Sequence, residues 1–484
     1  MDQRTQHVLS IQLEQGAYRS RLLRALESIG GAYRMMRRDH PISRHVQNDP
    51  KHEWIEIGLP LRKDAAHIKK WVLNSGLSMY TDMAPKSIVK RLQLAGINFK
   101  SAKNHHSPTV DRPGIKSDYY RRYKVSVFHL KALRAVPVQK GGQISSLFEE
   151  PADHQSPLWK RLEKTAVKAL YSLGLDLGEV VIFAGEEGNY FVEEIHPTPD
   201  DRDAAGVILY AQAINSLLDE LDSFSQANPE ILIGMDPEFL LFDRMNRKVV
   251  PASRYLSRQG EAGCDVLRYR GRKLYPLAEL RPSPGREPRE VVRHLLHAFK
   301  SADRAIPENG LLWQAGGMPQ RGFPLGGHLH FSGVPLTAEL LRVLDNYLAL
   351  PVAVIEAETS FRRRPLYGYL GDFRQQAYGG FEYRTLPSFL ISPVVTKGVV
   401  ALAKLIAEHY EQLSLRPLQH EKIVRAFYSG QQNILREAVT PLISDMTETA
   451  AYSRYESYIA PFLKAVQSGH TWDESMDIRK LWKM

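Results

Sequence analysis

The sequence contains a single cysteine, Cys264, among 484 residues. That excludes an internal disulfide framework, leaves no thiolate set for a zinc site, and fits a reducing cytoplasm. No uninterrupted apolar run is long enough to span a bilayer, and the opening stretch MDQRTQHVLSIQLEQG lacks the apolar core of a signal peptide. The expectation is a cytoplasmic chain with no membrane partner. There is also no basic tail and no Lys-rich tract. The net charge of +10, from 64 Lys and Arg against 54 Asp and Glu, is dispersed in short clusters such as RMMRRDH, DYYRRYK and SFRRRP. Dispersed charge argues against sequence-independent nucleic-acid binding and favours small acidic partners, phosphates or carboxylated substrates. The zinc-peptidase pattern of two histidines four apart on a helix is absent. The His-x-His pair at 328 and 330 lacks a nearby strand glutamate for a cupin-type site, the next being Glu339 beyond GVPLT.

What is present is enough chain for about two to four domains, with 43% hydrophobic and 24% charged residues, the balance of an ordinary globular protein. In the first 110 residues YRSRLLRALESIG reads as an amphipathic helix ending at Gly30. AAHIKKWVLNSG and PKSIVKRLQLAG read the same way, and HEWIEIGLPL reads as a strand. RRYKVSVFHLKALRAVPV alternates well enough for one or two strands. SPLWKRLEKTAVKALYSLGLD is a helix with Ser156 as its cap before Pro157. GEVVIFAGEEGNYFVEEIHPTPD is a hairpin turning at GEEGN, and DRDAAGVILYAQAINSLLDELDSF is a long helix. The polar stretch SQANPE, Ser225 to Glu230, marks a domain boundary. Strands follow at Ile231 to Phe242 and Leu274 to Arg281, then a helix from about Arg289 to Ala305, a strand at GGHLHFSG, and a helix from about Thr337 to Thr359. From about Ser392 the pattern is mostly helical.

Four segments of the second half share one signature. GMDPEFLLF carries Asp236 and Glu238, LAELRPSP carries Glu279 and Arg281, GGHLHFSG carries His328 and His330, and GGFEYRTLPS carries Glu382 and Arg384. Residues two apart on a strand share a face. The intervening Phe239, Leu280, Leu329 and Tyr383 would then form an apolar back, and the pairs a front of carboxylates, imidazoles and guanidiniums. Carboxylates with few imidazoles suit Mg²⁺ or Mn²⁺. Arginine forks suit phosphate oxygens. Gly326 and Gly327 would let a phosphate or a ring approach the backbone. The same pairs could instead be a solvated polar face or cross-strand salt bridges.

Taken in order, GMDPEFLLF, VVPASRY, LAELRPSP, GGHLHFSG and LYGYLGDFRQQAYGGFEYRTLPS resemble the motifs of the phage-type carboxylate–amine ligases (COOH-NH2 ligase type 2), a branch of the glutamine synthetase and glutamate–cysteine ligase superfamily. The resemblance covers roughly Ile231 to Val395. It implies an α+β fold: an antiparallel catalytic sheet of glutamine synthetase type backed by helices. It further implies ATP with Mg²⁺ (or Mn²⁺), held by Asp236, Glu238, Glu279, His328 and Glu382 as metal ligands. His330, Arg374 and Arg384 would touch the phosphates, with Arg364 and the two glycines completing the nucleotide site. The strands of the first half resemble the later strands of ATP-grasp ligases. Their metal-binding Glu-x-Asn appears here as Glu194, Ile195, His196, and their preceding aspartate as Val181, so Glu194 and His196 form a second candidate site.

The domain plan so implied is an N-terminal α/β region at 1–110, a divergent ATP-grasp-like domain at 111–225, a ligase domain at 231–395 and a helical region at 396–484. The implied activity is ATP-dependent formation of an amide or peptide bond, through an acyl-phosphate, from amino acid or peptide substrates, in a chain that could be a homo-oligomer. Guanidino-kinase-like phosphotransfer and non-catalytic nucleotide or nucleic-acid binding are the alternatives.

Overall fold

Apolar residues with a period of two build the first strand. In β1 (Thr5–Glu14) Leu9, Ile11 and Leu13 are all 0% exposed, and Val8, Ser10 and Gln12 on the other face are buried as well, so both faces are covered. The computed structural model describes residues 5–29, 34–35, 51–58, 67–100, 121–138, 153–185, 189–227, 229–308 and 310–483. They divide into two units, 1–228 and 229–484. Among the described residues no helix is long and apolar enough to cross a membrane.

In the first unit β1 is followed by α1 (Ala17–Ser28), β2 (Arg34–Met35), β3 (His52–Gly58) and β4 (His67–Leu73), and the sheet order is β2-β3-β1-β4. The stretch AAHIKKWVLNSG is therefore a strand and not the helix its spacing suggested. Trp71 and Leu73 are buried while Val72 between them is less so, and β4 pairs in parallel with β1. The strand ends at Asn74, whose φ of 58° suits an asparagine. Helices α2 (Leu77–Asp82) and α3 (Pro85–Leu94) lead to a second sheet. It comprises β5 (Asn98–Phe99), β6 (Arg121–Phe128), β7 (Lys131–Val138), β8 (Leu177–Ala184) and β9 (Tyr190–His196), ordered β5-β9-β8-β6-β7. Helix α4 (Pro157–Ser172) packs on it, with the Ser156 hydroxyl accepting from Trp159 N at 3.1 Å as its cap. Helix α5 (Ala204–Ala227) runs into the polar SQANPE stretch before Pro229 stops it. Gly30, residues 36–40 of RMMRRDH, 118–120 of DYYRRYK and 186–188 of the GEEGN turn lie outside the described residues.

The second unit is α+β. Its strands are β10 (Leu232–Asp243), β11 (Lys248–Val250), β12 (Ala262–Tyr269), β13 (Arg272–Leu280), β14 (Leu311–Gln314), β15 (Gly327–Ser332), β16 (Phe373–Gln375) and β17 (Phe381–Tyr383). All pair antiparallel, in the order β12-β13-β10-β15-β17-β16, with β11 and β14 also on β10. The β12–β13 hairpin turns through Arg270 and Gly271, both at positive φ, which matches the twist of the flanking strands. Helix α6 (Pro288–Ala305) starts on a proline at its first turn. The helix expected from Thr337 to Thr359 is α7 (Ala338–Leu344), one π-helical turn at Asp345–Ala349, and α8 (Leu350–Ile355); it ends four residues early, with Glu356 extended. The C-terminal helices are α9 (Pro393–His409), α10 (Glu421–Ser429), α11 (Gln432–Thr447), α12 (Tyr452–Ser468) and α13 (Ile478–Trp482).

The back of the sheet is apolar, as the intervening residues require. Phe239, Leu329 and Tyr383 are each 0% exposed, and Phe239 stacks on Trp313 at 4.7 Å between ring centroids. Phe299 of α6 and Trp482 of α13 extend that aromatic stack. The core so formed fixes the strands whose other face carries the polar pairs.

Candidate active site

Strand β10 lies at the middle of the sheet and presents both of its acids to one face. Its register sets Glu238 opposite Glu279 of β13 and Asp236 opposite His328 of β15, while β15 sets His330 opposite Glu382 of β17. Two clusters result. In one, donor atoms of Asp236, His330 and Glu382 lie within 4.8 Å of one another; in the other, those of Glu238, Asp265 and Glu279 do. Of the metal ligands expected from sequence for two or three ions, Asp236 and Glu382 fall in one set and Glu238 and Glu279 in a neighbouring one, the two sharing β10.

The first cluster is charge-dense and under-bonded. His328 Nδ1 lies 3.0 Å from Asp236 Oδ1 and 3.3 Å from Glu382 Oε1, and His330 Nε2 bonds Asp236 Oδ2 at 3.0 Å. Yet Asp236 Oδ1, His328 Nδ1 and Glu382 Oε1 are buried atoms without a hydrogen bond of good geometry. Buried polar atoms are ordinarily satisfied, and these three converge where a cation could be held. Burial pushes the Asp236 carboxyl up, but His328 and then His330 outweigh it and hold its pKa well below the carboxylate range. His330 goes the other way: burial opposes its charge, and Asp236 raises it overall. Glu382, 0% exposed, also takes Arg374 Nε at 2.7 Å, Gln376 Nε2 at 2.8 Å and a contact from Arg384 Nε at 3.0 Å.

The second cluster has the opposite electrostatics. Burial, then the Glu279 charge, pushes the Glu238 carboxyl well above its usual range. Burial, then Asp236, pushes Glu279 up to about 8, although Arg281 pairs with it. Glu238 Oε2 accepts from Gly326 N at 2.6 Å, which orients the carboxylate. Three crowded carboxylates with oxygen donors only, two of them resisting ionisation, fit a hard divalent cation such as Mg²⁺ or Mn²⁺.

Beside this cluster lies a cavity open to solvent. Glu238, Asp265, Gly326 and His328 line it together with Arg363, Tyr367, Asp372 and Arg384. An apolar patch of Leu240, Leu277 and Leu325 packs alongside. Arg363 is 2% exposed; one guanidinium nitrogen donates to Thr385 O, and its Nε has no hydrogen-bond partner. Burial, then the neighbouring Arg364, lowers its pKa to about 10, so it stays charged at neutral pH. A buried cation facing a cavity is prepared for an anion.

The structure departs from the sequence expectation at Arg364 and adds Asp265. Arg364 does not reach the cavity. Its side chain is 1% exposed, pairs with Glu356, donates to Phe427 O at 3.2 Å and lies over the Phe427 ring. Arg363, its neighbour, occupies the wall instead. Truncating Arg364 to Ala leaves Glu356 buried and unpaired, so unfolding in urea should show a loss of about 3–5 kcal/mol. Gly326 lines the cavity, and packing also favours a bare backbone at both glycines: a Cβ would lie 2.4 Å from His328 Nε2 at Gly326 and 2.4 Å from Pro387 O at Gly327. Asp265 was missed altogether. It stands alone in GCDVLRY, and a register irregularity between Asp265 and Leu267 breaks the alternation that would have flagged it.

In the first unit Glu194 and His196 do approach, at 3.2 Å, with both side chains partly exposed. Val181 opposes Glu194 across the β8–β9 ladder and packs with Val136 and Val138. Among the described residues the pair acquires no third donor there.

Three solved structures are similar over part of the chain. A bifunctional glutathione synthetase from Pasteurella multocida matches at 10% identity and TM-score 0.33, over 52% of each chain. A structure described as GmaS without ligand matches at 13% and 0.28, over 57% of this chain and 77% of its own. A novel glutamine synthase homolog matches at 13% and 0.25, over 53% and 71%. The chain spans about half the length of the glutathione synthetase, and scores this low carry no argument. No curated protein matches the sequence. The family comparison is of another kind, because it covers residues 233–484, more than half of the chain and every strand of the charged sheet. On that match the chain belongs to the phage phiEco32-like COOH.NH2 ligase-type 2 family.

Proposed function

We propose that the second unit joins a carboxylate to an amine at the expense of ATP, through an acyl-phosphate. One observation carries the reading: Glu238 and Asp265 of one acid cluster share a cavity lining with Arg363 and Arg384, and a second acid cluster lies next to the first on the same strand. Glu238, Asp265 and Glu279 would hold one ion; Asp236, Glu382 and the two imidazoles would hold another. Bound Mg²⁺ or Mn²⁺ supplies charge neutralisation along the phosphates. Arg384, Arg363 and Arg374 orient the transferring phosphoryl group and stabilise the charge on its oxygens. A carboxylate oxygen bonds to the γ-phosphorus as the bond to ADP breaks. An amine then attacks the acyl carbon, phosphate leaves and the amine loses a proton. The ligase domain is taken as 231–395 followed by helices at 396–484. Residues 111–225 are taken as the ATP-grasp-like part, with Glu194 and His196 as its candidate cation pair. The carboxylate and amine are amino acids or peptides.

The test is mass spectrometry of products after incubation with ATP, Mg²⁺ and pooled amino acids and peptides. The expected result is ADP, phosphate and a condensed product lighter than its two parts by one water. A phosphoramidate on a guanidino compound would replace this reading with the kinase one. Absence of ADP together with steeply salt-dependent DNA or RNA binding would replace it with the non-catalytic one.

A further inference from the structure

The helical C-terminal region shows no chemistry in its sequence, yet one of its acids is buried beside the site. Glu474 is 5% exposed and lies between α12 and α13. Its carboxylate accepts from Ser360 Oγ at 2.5 Å, Thr359 Oγ1 at 2.8 Å, Met318 N at 3.2 Å, Trp472 Nε1 at 3.2 Å and Gly317 N. Five donors on one buried carboxylate make a fixed node; Gly317 N also donates to Ser360 Oγ at 3.2 Å, which ties the two segments directly. The segment carrying it is itself pinned, with Trp472 N donating to Ile355 O at 2.9 Å. Gly316, at φ +110°, is bare where a Cβ would lie 2.1 Å from Glu474 Oε1.

Two routes lead from this node to two cavity-lining residues, Glu238 and Arg363. Gly317, held through its N–H, accepts from Leu325 N at 2.9 Å through its carbonyl. The next residue, Gly326, donates to Glu238 Oε2 at 2.6 Å. On the other side Ser360 opens the single 3-10 turn Ser360–Arg363, which ends at the cavity-lining guanidinium. We infer that Glu474 is a positioning residue that sets the buried Arg363 guanidinium and the Glu238 carboxylate at a fixed separation across the cavity. It touches no reacting atom itself. This inference rests on the ligase reading of the cavity, but its geometric part does not.

The experiment is a double-mutant cycle with Glu474→Gln and Arg363→Lys, read as affinity for Mg²⁺·AMP-PNP by titration calorimetry. It is paired with amide hydrogen exchange on the ligand-free chains. Glu474→Gln should weaken binding about 10- to 100-fold, the size that outer partners of a site carry. It should add little to the loss already caused by Arg363→Lys, since both act through one guanidinium. Exchange should quicken in 316–326 and 359–372 and stay unchanged in α9. Thr359→Val, which removes a single donor, should shift both readouts in the same direction by less, and it decides the matter where Glu474→Gln does not fold. Additive losses, unchanged affinity in the folded variants, or exchange that rises equally in α9 would overturn the inference. A wild-type chain that binds no Mg²⁺·AMP-PNP would instead overturn the ligase reading, and the exchange pattern alone would then decide whether Glu474 holds the two segments.

Discussion

Replacing Glu238 or Glu382 by glutamine should reduce ATP-dependent ADP release by about 10²–10³-fold or more, the scale on which loss of one preorganised electrostatic partner is felt. The two variants should differ in stability, and the difference identifies the cause. Glu238 is 5% exposed and crowded by Glu279, so its ionised form is disfavoured in the metal-free fold. Glutamine has nearly the shape of the protonated acid, so Glu238→Gln should leave the melting temperature unchanged or raise it. Glu382 is ringed by Arg374, Arg384 and His328, and removing its charge takes the paired carboxylate from Arg374 and leaves Arg384 with Asp372 as its main acidic neighbour. Glu382→Gln should therefore lower stability by about 1–3 kcal/mol as well as activity. Circular dichroism melts and coupled ADP assays on the same preparations test both. Turnover unchanged in both folded variants would remove the site.

The contrast between legible and illegible parts follows from the range of the signal. The pairs at 236/238, 279/281, 328/330 and 382/384 could be read because a strand repeats every two residues, and the repeat is local in sequence. Their convergence follows from the antiparallel ladder, which aligns β13, β10, β15 and β17 side by side. Asp265 has no acidic partner two residues away, and only the hairpin with β13 brings it to Glu279. Arg363 and Arg364 are adjacent in FRRRP, where sequence offers no means to choose between them. The choice is made by Glu356, which captures Arg364, and by Gly368, whose missing side chain leaves space for the Arg363 guanidinium. β4 was misread because lysines at 69 and 70 and apolar residues at 71 to 73 satisfy a helical stripe as well as a strand. The parallel pairing with β1 decides it, and that partner is some sixty residues away. Glu474 lies further still, about 157 residues from the glycine it holds.

Cation binding should be strongly pH-dependent, and its sign follows from the second cluster. The free fold holds Glu279 protonated up to about pH 8, whereas the unfolded chain releases that proton near 4.5. The folded state therefore binds more protons than the unfolded state between those values. Stability of the metal-free protein should fall as pH rises from about 4.5 to 8 and level off above, a change on the order of a few kcal/mol. A divalent cation requires the ionised carboxylates, so binding below pH 8 must displace a proton. Affinity for Mn²⁺ should consequently climb about tenfold per pH unit, roughly 100-fold between pH 6 and pH 8. Glu238, whose pKa is raised by burial and by Glu279, should make the rise steeper still. Titration calorimetry at pH 6, 7 and 8 in buffers of different ionisation heat reads the affinity and the number of protons released. Glu279→Gln should flatten the slope by one proton and reduce the pH-dependent part of the stability, leaving the share that buried Glu238 contributes. A slope of zero in the wild-type chain would mean that these carboxylates take no part in holding the ion. The Asp236, His330 and Glu382 cluster offers no pH-independent alternative, because His330, whose pKa Asp236 raises, must itself lose a proton before it can hold an ion, so the flattening in Glu279→Gln is what tells the two clusters apart.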